Sequence, residues 1–147
     1  MAVETSDIGL LLKAAFDRYH HETLQRVRRA GFADVTPAQA LVIAHLSDTP
    51  KNAVSIAMRV GVSKQAMSVT TTELTRKGYV TLSPDPTDRR ARLLALSGRG
   101  RALKQASGQA KQAVEAQFAT LLAEHDTVVV MDALRALAAA PEPEQVG

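Results

Sequence analysis

The chain has 147 residues, 46% of them hydrophobic, with no cysteine and a net charge of +3. This length is enough for one domain with a buried core, and the composition is typical of a globular protein. The lack of cysteine excludes disulfides, thiolate metal sites, cysteine nucleophiles and thiol-based redox sensing by this chain. The acidic start MAVETSD does not suit a secretory signal, and no apolar stretch is long enough to span a bilayer. We therefore expect a cytoplasmic protein that does not enter membranes.

Positive charge is concentrated in the middle of the sequence. Between Arg59 and Lys104, ten Lys and Arg residues stand against three acidic ones, a net charge of +7, whereas the remainder carries eight against twelve, or −4. A basic centre between acidic ends is typical of a nucleic-acid-binding surface on a globular scaffold. Aromatic residues make up only 3% of the chain, which disfavours single-stranded nucleic acid or RNA as the target because those sites depend on aromatic stacking.

Two helices are predicted in the first third of the chain. Apolar residues recur at three- and four-residue steps across Ser6–Ala30, and Gly31 ends this pattern. The segment TPAQALVIAHL begins with Thr36 as N-cap, Pro37 at the first helical position and Gln39 three residues after the cap. This capping box predicts a second helix, and its many apolar residues predict burial on most sides.

A pair of short helices follows around a glycine turn. Gly61 interrupts the apolar segment SIAMRVGV, and Ser63 can cap a further helix from Lys64 to Lys77. The inward residues of this helix are predicted to be Ala66, Met67, Thr70, Thr71 and Leu74. The outward residues are predicted to be Lys64, Gln65, Ser68, Thr72 and Arg76. The pattern indicates a helix-turn-helix whose second helix enters the DNA major groove, and the alternative is an ordinary helix pair packed in a core.

A β-hairpin with a basic tip is predicted directly after these helices. Gly78 ends the helix, KGYVTL and ARLLAL are β-prone runs, and DPTDRR between them brings Arg89, Arg90 and Arg92 close together. The alternative interpretation is a solvated surface cluster. However, three arginines on one tip repel one another, and phosphates or a narrow minor groove relieve that repulsion. A basic hairpin after a recognition helix is a wing, so the hairpin favours DNA binding.

The remainder of the chain is predicted to be helical. From Ser97 onward one apolar stripe runs through residues 103–122 and another through residues 128–137, and we assign the VVV run to the second helix. The four histidines lack a ligand-set spacing, and neither a phosphate loop nor a nucleophile elbow occurs. We therefore predict no metal site and no catalytic residue, and we do not expect an enzyme.

A pattern in the wing and its flanks identifies a family resemblance. Asp88 and Arg90 form an Asp-x-Arg pattern, an apolar strand follows, and Leu96, Ser97 and Gly100 form Leu-Ser/Thr-x-x-Gly. With the segments TPAQALVIAHL, SIAMRVGVSKQAMSVTTTELTRKGYV and DPTDRRARLLALSGRG, residues 36–100 resemble the MarR (multiple antibiotic resistance regulator) family of winged-helix transcription factors. The matching terminal helices extend this resemblance over nearly the whole chain.

The resemblance implies the fold and the assembly. The expected fold is a single MarR-like domain of residues 1–147, mainly α with a small β-hairpin wing. The winged helix-turn-helix would occupy about residues 36–97, and N- and C-terminal dimerisation helices would occupy about residues 6–30 and 98–140. These helices would interlock in an obligate homodimer that binds a palindromic operator in double-stranded DNA.

The resemblance also implies a function and a set of DNA contacts. The function would be sequence-specific transcriptional regulation, as a repressor that a small-molecule effector releases, with no other cofactor. Arg90 would lie at a minor groove, and Asp88 would hold the wing arginines in place. The candidate DNA-binding residues are Ser63, Lys64, Gln65, Ser68, Thr72 and Arg76 in the helix, and Asp88, Arg89, Arg90 and Arg92 in the wing. The alternative is a winged-helix protein-interaction module without specific DNA binding, whose docking wing should be more apolar and less charged.

Two features depart from the family pattern. Thr70 and Thr71 stand where Leu- or Val-like residues are more common, and Val69 stands where a polar or basic residue is frequent. The departures concern the middle of the recognition helix. They leave Lys64, Gln65 and Ser68 as the better candidates for base or phosphate contacts.

Overall fold

A computed structural model describes residues 7–139 of the chain. Its helices are α1 (Ile8–Arg29), α2 (Pro37–His45), α3 (Ala53–Val60), α4 (Lys64–Arg76), α5 (Gly98–Leu121) and α6 (Thr127–Ala139). Its strands are β1 (Lys51–Asn52), β2 (Val80–Pro84) and β3 (Arg92–Leu96). The chain divides into two compact units with the boundary between Lys111 and Gln112, inside α5. The predicted ends of the terminal helices at residues 6 and 140 lie outside the described residues.

The helix starts of the winged helix are fixed by side-chain caps. The Thr36 backbone N–H donates to Gln39 Oε1 at 3.2 Å, and the Gln39 backbone N–H donates to Thr36 Oγ1 at 3.3 Å. This confirms the predicted capping box, which satisfies donors that a helix start leaves unpaired. Ser63 Oγ accepts from the Ala66 backbone N–H at 3.1 Å, and the preceding turn places Gly61 at a φ of 74°. The predicted start of the recognition helix is therefore confirmed as well.

The predicted hairpin forms the larger part of a three-stranded antiparallel sheet with the order β1-β3-β2. Val80 pairs with Leu96 at the base of the hairpin, and Pro84 pairs with Arg92 next to the tip. The short β1 strand adds to the other edge of β3 through the pairing of Lys51 with Leu94. β1 was not predicted, because two residues are too few for a strand to show its alternating pattern.

The core of residues 7–111 lies between the helices and one face of the sheet. Its fully buried side chains include Val27, Val42, Ile43, Leu46, Ile56, Leu74, Tyr79, Leu94 and Leu103. The predicted inward residues Met67, Thr71 and Leu74 are buried, but Ala66 is exposed. That prediction was wrong because Ala66, in the first turn of α4, lies about 100° around the helix from Met67, at the edge of the buried stripe.

The predicted burial of α2 differs in part from the structure, whereas the predicted helix at residues 128–130 is present. Burial of α2 on most sides was wrong in part, because Leu41 and Ala44 are exposed. The VVV run at residues 128–130 is helical as predicted, and it lies within α6. None of the helices within residues 7–139 is both long and apolar enough to cross a membrane.

The junction between β3 and α5 gives the Leu-Ser-x-x-Gly pattern a physical reason. Ser97 Oγ donates to the Gly78 carbonyl at 2.6 Å and accepts from the Gly100 backbone N–H at 3.0 Å. A Cβ atom at Gly100 would lie 2.0 Å from the Tyr79 carbonyl oxygen. The first turn of α5 therefore rests directly on the backbone before β2, and only glycine permits this approach.

Candidate DNA interface

The recognition helix α4 turns a polar face to solvent. Its predicted outward residues Lys64, Gln65, Ser68, Thr72 and Arg76 are all exposed, which confirms their predicted orientation. The opposite face, with Met67 and Leu74, packs into the core. The sequence thus separates a packing face from a face of hydrogen-bonding side chains, as recognition of base edges and phosphates requires.

The side chains on this face differ in how many of their hydrogen-bonding groups remain available. Thr72 Oγ1 donates to the Ser68 carbonyl at 2.9 Å, and Arg76 Nη2 lies 2.8 Å from Glu73 Oε2. The bond from Arg76 lowers the pKa of the Glu73 carboxyl. Within residues 7–139, no hydrogen bond engages the side chains of Lys64 or Gln65. The first turn of α4 therefore offers one free ammonium and one free amide to a ligand.

The wing tip is folded by its aspartates, which bind backbone groups and a hydroxyl. Asp85 Oδ1 accepts from the Thr87 backbone N–H at 2.8 Å and from Thr87 Oγ1 at 2.7 Å, and these bonds lower the pKa of its carboxyl. Asp88 Oδ1 accepts from the Arg90 backbone N–H at 2.9 Å. The Ala91 backbone N–H donates to the Asp88 carbonyl at 2.9 Å. Asp88 therefore fixes the backbone that carries Arg90.

The three wing arginines are exposed and keep their donors free. Arg89 and Arg90 lie at the tip and Arg92 begins β3. In the part of the chain that the structure describes, no hydrogen bond or ion pair engages any of their guanidinium groups. Each guanidinium carries five N–H donors in a planar fork that matches phosphate geometry. The tip therefore presents fixed backbone and unoccupied positive charge.

A second cluster, which the sequence analysis missed, ties the end of the recognition helix to the start of α5. Arg99 Nη1 donates to the Lys77 carbonyl at 2.7 Å, and Arg99 Nη2 lies 3.3 Å from Asp34 Oδ1. The Arg99 guanidinium carbon also lies 4.4 Å from the centroid of the Tyr79 ring. We call Asp34, Lys77, Tyr79 and Arg99 the junction cluster. Asp34 and Arg99 are 65 positions apart, so no local pattern could reveal their contact.

Tyr79 and Lys77 complete the junction cluster. The Tyr79 hydroxyl donates to Asp34 Oδ1 at 2.6 Å. This bond lowers the pKa of the Asp34 carboxyl, while burial, together with the same bond, raises the pKa of Tyr79 to about 12. Lys77 Nζ donates to the Asp34 carbonyl and, at 2.9 Å, to Gln39 Oε1. The C-terminal end of α4 is thus bonded to the capping box of α2 and to α5.

A cavity of about 220 Å³ lies beside the recognition helix. Its wall includes Val54, Met67 and Leu82, together with Lys64 and Arg92 from the candidate DNA-binding set. A small molecule in this cavity would contact side chains that face DNA in a winged helix. Occupation of the cavity and DNA binding would therefore compete for the same groups.

Helix faces outside the winged helix carry large exposed apolar side chains. On α1 these include Ile8, Leu10, Leu12 and Phe16. On α6 they are Val128, Val129, Met131, Leu134 and Leu137, and α6 has no buried residue. Such apolar faces are typical of surfaces that another protein chain covers.

Three features define a winged helix-turn-helix of the kind that binds double-stranded DNA. They are the exposed polar face of α4, the helix α3 and the turn before it, and the basic wing after it. Comparisons with known proteins agree. The MarR family model matches residues 33–91. The HTH-type transcriptional repressor MdtR of Bacillus subtilis is 29% identical over 141 residues, which cover 95% of this chain and 89% of that protein.

Two solved structures have the same fold. The YusO protein of Bacillus subtilis is 28% identical, with a TM-score of 0.68, and the match covers 92% of this chain and 95% of that one. The transcriptional repressor CouR, solved bound to a 23-mer DNA duplex, is 24% identical, with a TM-score of 0.76 and coverage of 94% and 99%. The chain is thus similar to the MarR family of winged-helix transcriptional regulators, through the family model over residues 33–91 and through a fold shared with these structures over nearly its whole length.

Proposed function

We propose that this protein is a sequence-specific regulator of transcription that binds double-stranded DNA as a homodimer. It acts as a repressor that a small-molecule effector releases, works in the cytoplasm, catalyses no reaction and needs no other cofactor for DNA binding. The observation that carries the proposal is the wing tip, where Asp88 fixes the backbone and the guanidinium groups of Arg89 and Arg90 have no partner within the described residues.

The two groups of candidate contacts suit the two grooves of DNA. The free amide of Gln65 can donate and accept at once, which is the pattern that adenine presents in the major groove. Arg90, on the neighbouring hairpin, suits a narrow minor groove, where the negative potential is strongest and the weak hydration of arginine reduces the cost of entry. Lys64 and Ser68 supply further phosphate or base contacts, and the Thr72 oxygen can accept a hydrogen bond from a base.

The assembly follows from the apolar faces of α1 and α6. Exposed side chains such as Phe16 (63% exposed) and Val128 (69% exposed) cost free energy in water, which a second copy of the chain removes. A two-fold symmetric dimer presents two recognition helices and therefore requires a palindromic operator with half-sites about one helical turn apart.

The alternative function is a protein-docking winged helix. The centre of a protein interface is depleted in charged residues. The wing instead carries three exposed arginines, and the outward face of α4 is mostly polar. These surfaces favour the polyanion DNA over a protein partner.

The cavity beside α4 supports the effector part of the proposal. A ligand held between α3, α4 and the sheet would contact Lys64 and Arg92 and remove them from DNA. The effector would therefore shift the equilibrium toward free protein through its preference for the unbound state.

The test is selection of binding sequences from random double-stranded DNA, with light scattering on the purified chain. The proposal expects enrichment of one palindrome, a dimer at micromolar concentration, and an affinity that falls steeply with salt. Gln65→Ala should change the base preferred at one position of each half-site, whereas Asp88→Ala should lower affinity on all sequences by loosening the wing. A stable monomer, or binding without sequence preference, would refute the proposal.

A further inference from the structure

Val69 is the one strongly apolar side chain on the outward face of the recognition helix, and 66% of it is exposed. On a helix that advances 100° per residue, positions 65, 69, 72 and 76 lie along one line. This line runs opposite to Met67 and Leu74, which are buried. Val69 therefore occupies the centre of the face that a recognition helix presents to DNA.

The polar neighbours of Val69 do not shield it. Gln65 lies one turn before it and Thr72 one turn after it, and both are exposed. The Thr72 hydroxyl donates its hydrogen to the Ser68 carbonyl at 2.9 Å, so Thr72 has no free donor to offer beside Val69. In water, the two methyl groups of Val69 would remain solvated at a free-energy cost.

The chemistry of the major groove limits what such a side chain can contact favourably. Guanine, cytosine and adenine present hydrogen-bonding groups and no methyl group there, and an apolar side chain pressed against those groups would leave them unpaired. Thymine is the exception because it carries a C5-methyl group on its major-groove edge. A valine at the centre of the groove therefore discriminates in favour of thymine.

We propose that Val69 is a specificity-determining residue that contacts the C5-methyl group of one thymine in each half-site of the operator. This inference rests on the proposed DNA-binding function and adds a base preference to it. Val69 lies four residues after Gln65, a helix rise of about 6 Å, so the thymine should lie within about two base pairs of the one that Gln65 contacts.

The test replaces single thymines of the selected operator by deoxyuridine, which removes the methyl group and changes no hydrogen bond. We expect one sensitive thymine position in each half-site. Substitution in one half should lower the affinity of the parent protein about fourfold, and substitution in both halves should lower it on the order of tenfold. Val69→Ala should bind the thymine operator more weakly and show no further loss with deoxyuridine at that position. Alanine suits an exposed helix position, and thermal unfolding verifies that the variant is folded.

Met58→Ala is the matched control, because Met58 is 78% exposed but lies on α3, outside the recognition helix. It should keep the full deoxyuridine penalty of the parent. Specific binding with no deoxyuridine penalty at any thymine, or an equal penalty in Val69→Ala, would overturn the inference and leave the proposed function standing. Absence of any selected sequence would instead refute the proposed function itself.

Discussion

Arg90 and Arg99 lie nine residues apart, yet the structure engages them in opposite ways. Arg99 binds the Lys77 carbonyl and the Asp34 carboxylate, and its guanidinium lies against the Tyr79 ring. Arg90 lies in a turn that Asp88 fixes through the backbone, and its guanidinium has no partner among residues 7–139. Arginine thus stabilises the fold in one region and remains available to a ligand in the other.

Arg99 is therefore a positive charge that stabilises the fold, whereas Arg90 is one that can bind a ligand. The junction cluster connects α2, the end of α4 and the start of α5, so it gives the recognition helix a rigid support. Within the described residues no acidic side chain pairs with the wing arginines, so their mutual repulsion is relieved when an anionic ligand binds. Substitutions in the junction cluster and in the wing distinguish these two roles.

The largest effect is expected where α5 rests on the backbone before β2. Gly100→Ala would place a Cβ atom 2.0 Å from the Tyr79 carbonyl oxygen, so the junction must open. We expect a loss of about 3 kcal/mol in the free energy of unfolding, measured by urea denaturation. Gly98→Ala is the control, because no atom lies within 4 Å of its added Cβ, and it should change stability by less than about 0.5 kcal/mol. Equal effects of the two substitutions would refute the close contact.

The next effect compares the two arginines directly. Arg99→Ala removes a hydrogen bond, an ion pair and a cation–π contact, and it should lower the free energy of unfolding by about 1–2 kcal/mol. Arg90→Ala removes no contact within the described residues and should leave the melting temperature unchanged. Calorimetry of both variants without DNA measures the difference. If the two variants lost the same stability, the division between structural and binding arginines would be wrong.

A smaller effect is expected from the Tyr79 hydroxyl. The pKa of Tyr79 is raised to about 12 in the folded protein, so the hydroxyl holds its proton more tightly there than in the unfolded chain. Its stabilising contribution is complete below pH 10 and is lost as the pH rises from about 10 to 12. Tyr79→Phe should cost about 1 kcal/mol at pH 7, and this difference from the parent should shrink across that window. Parallel stability curves from pH 8 to 12 would contradict the assignment.

The sequence predicted the parts of this division that depend on short segments. The helix caps are local, because Thr36 pairs with Gln39 and Ser63 caps the helix that follows it. The wing arginines are also close in sequence, so both features can be recognised from short segments. The Asp34–Arg99 contact depends on the tertiary fold and had no such signal. Ala66 was misplaced because periodicity identifies a buried stripe but does not define its edges.

If the free wing arginines bind DNA, the salt dependence of operator binding must reflect their charge. Fluorescence anisotropy of the parent and of Arg90→Ala on the selected operator, at several salt concentrations, measures both affinity and slope. Arg135→Ala is the control, since it removes the same charge from α6, where Arg135 pairs with Asp132. Arg90→Ala should lose about 1–3 kcal/mol of binding free energy and reduce the salt slope by about one per protomer, while the control keeps the parent slope. If Arg90→Ala bound like the parent at every salt concentration, the wing arginines would be a solvated surface cluster and the account would be wrong.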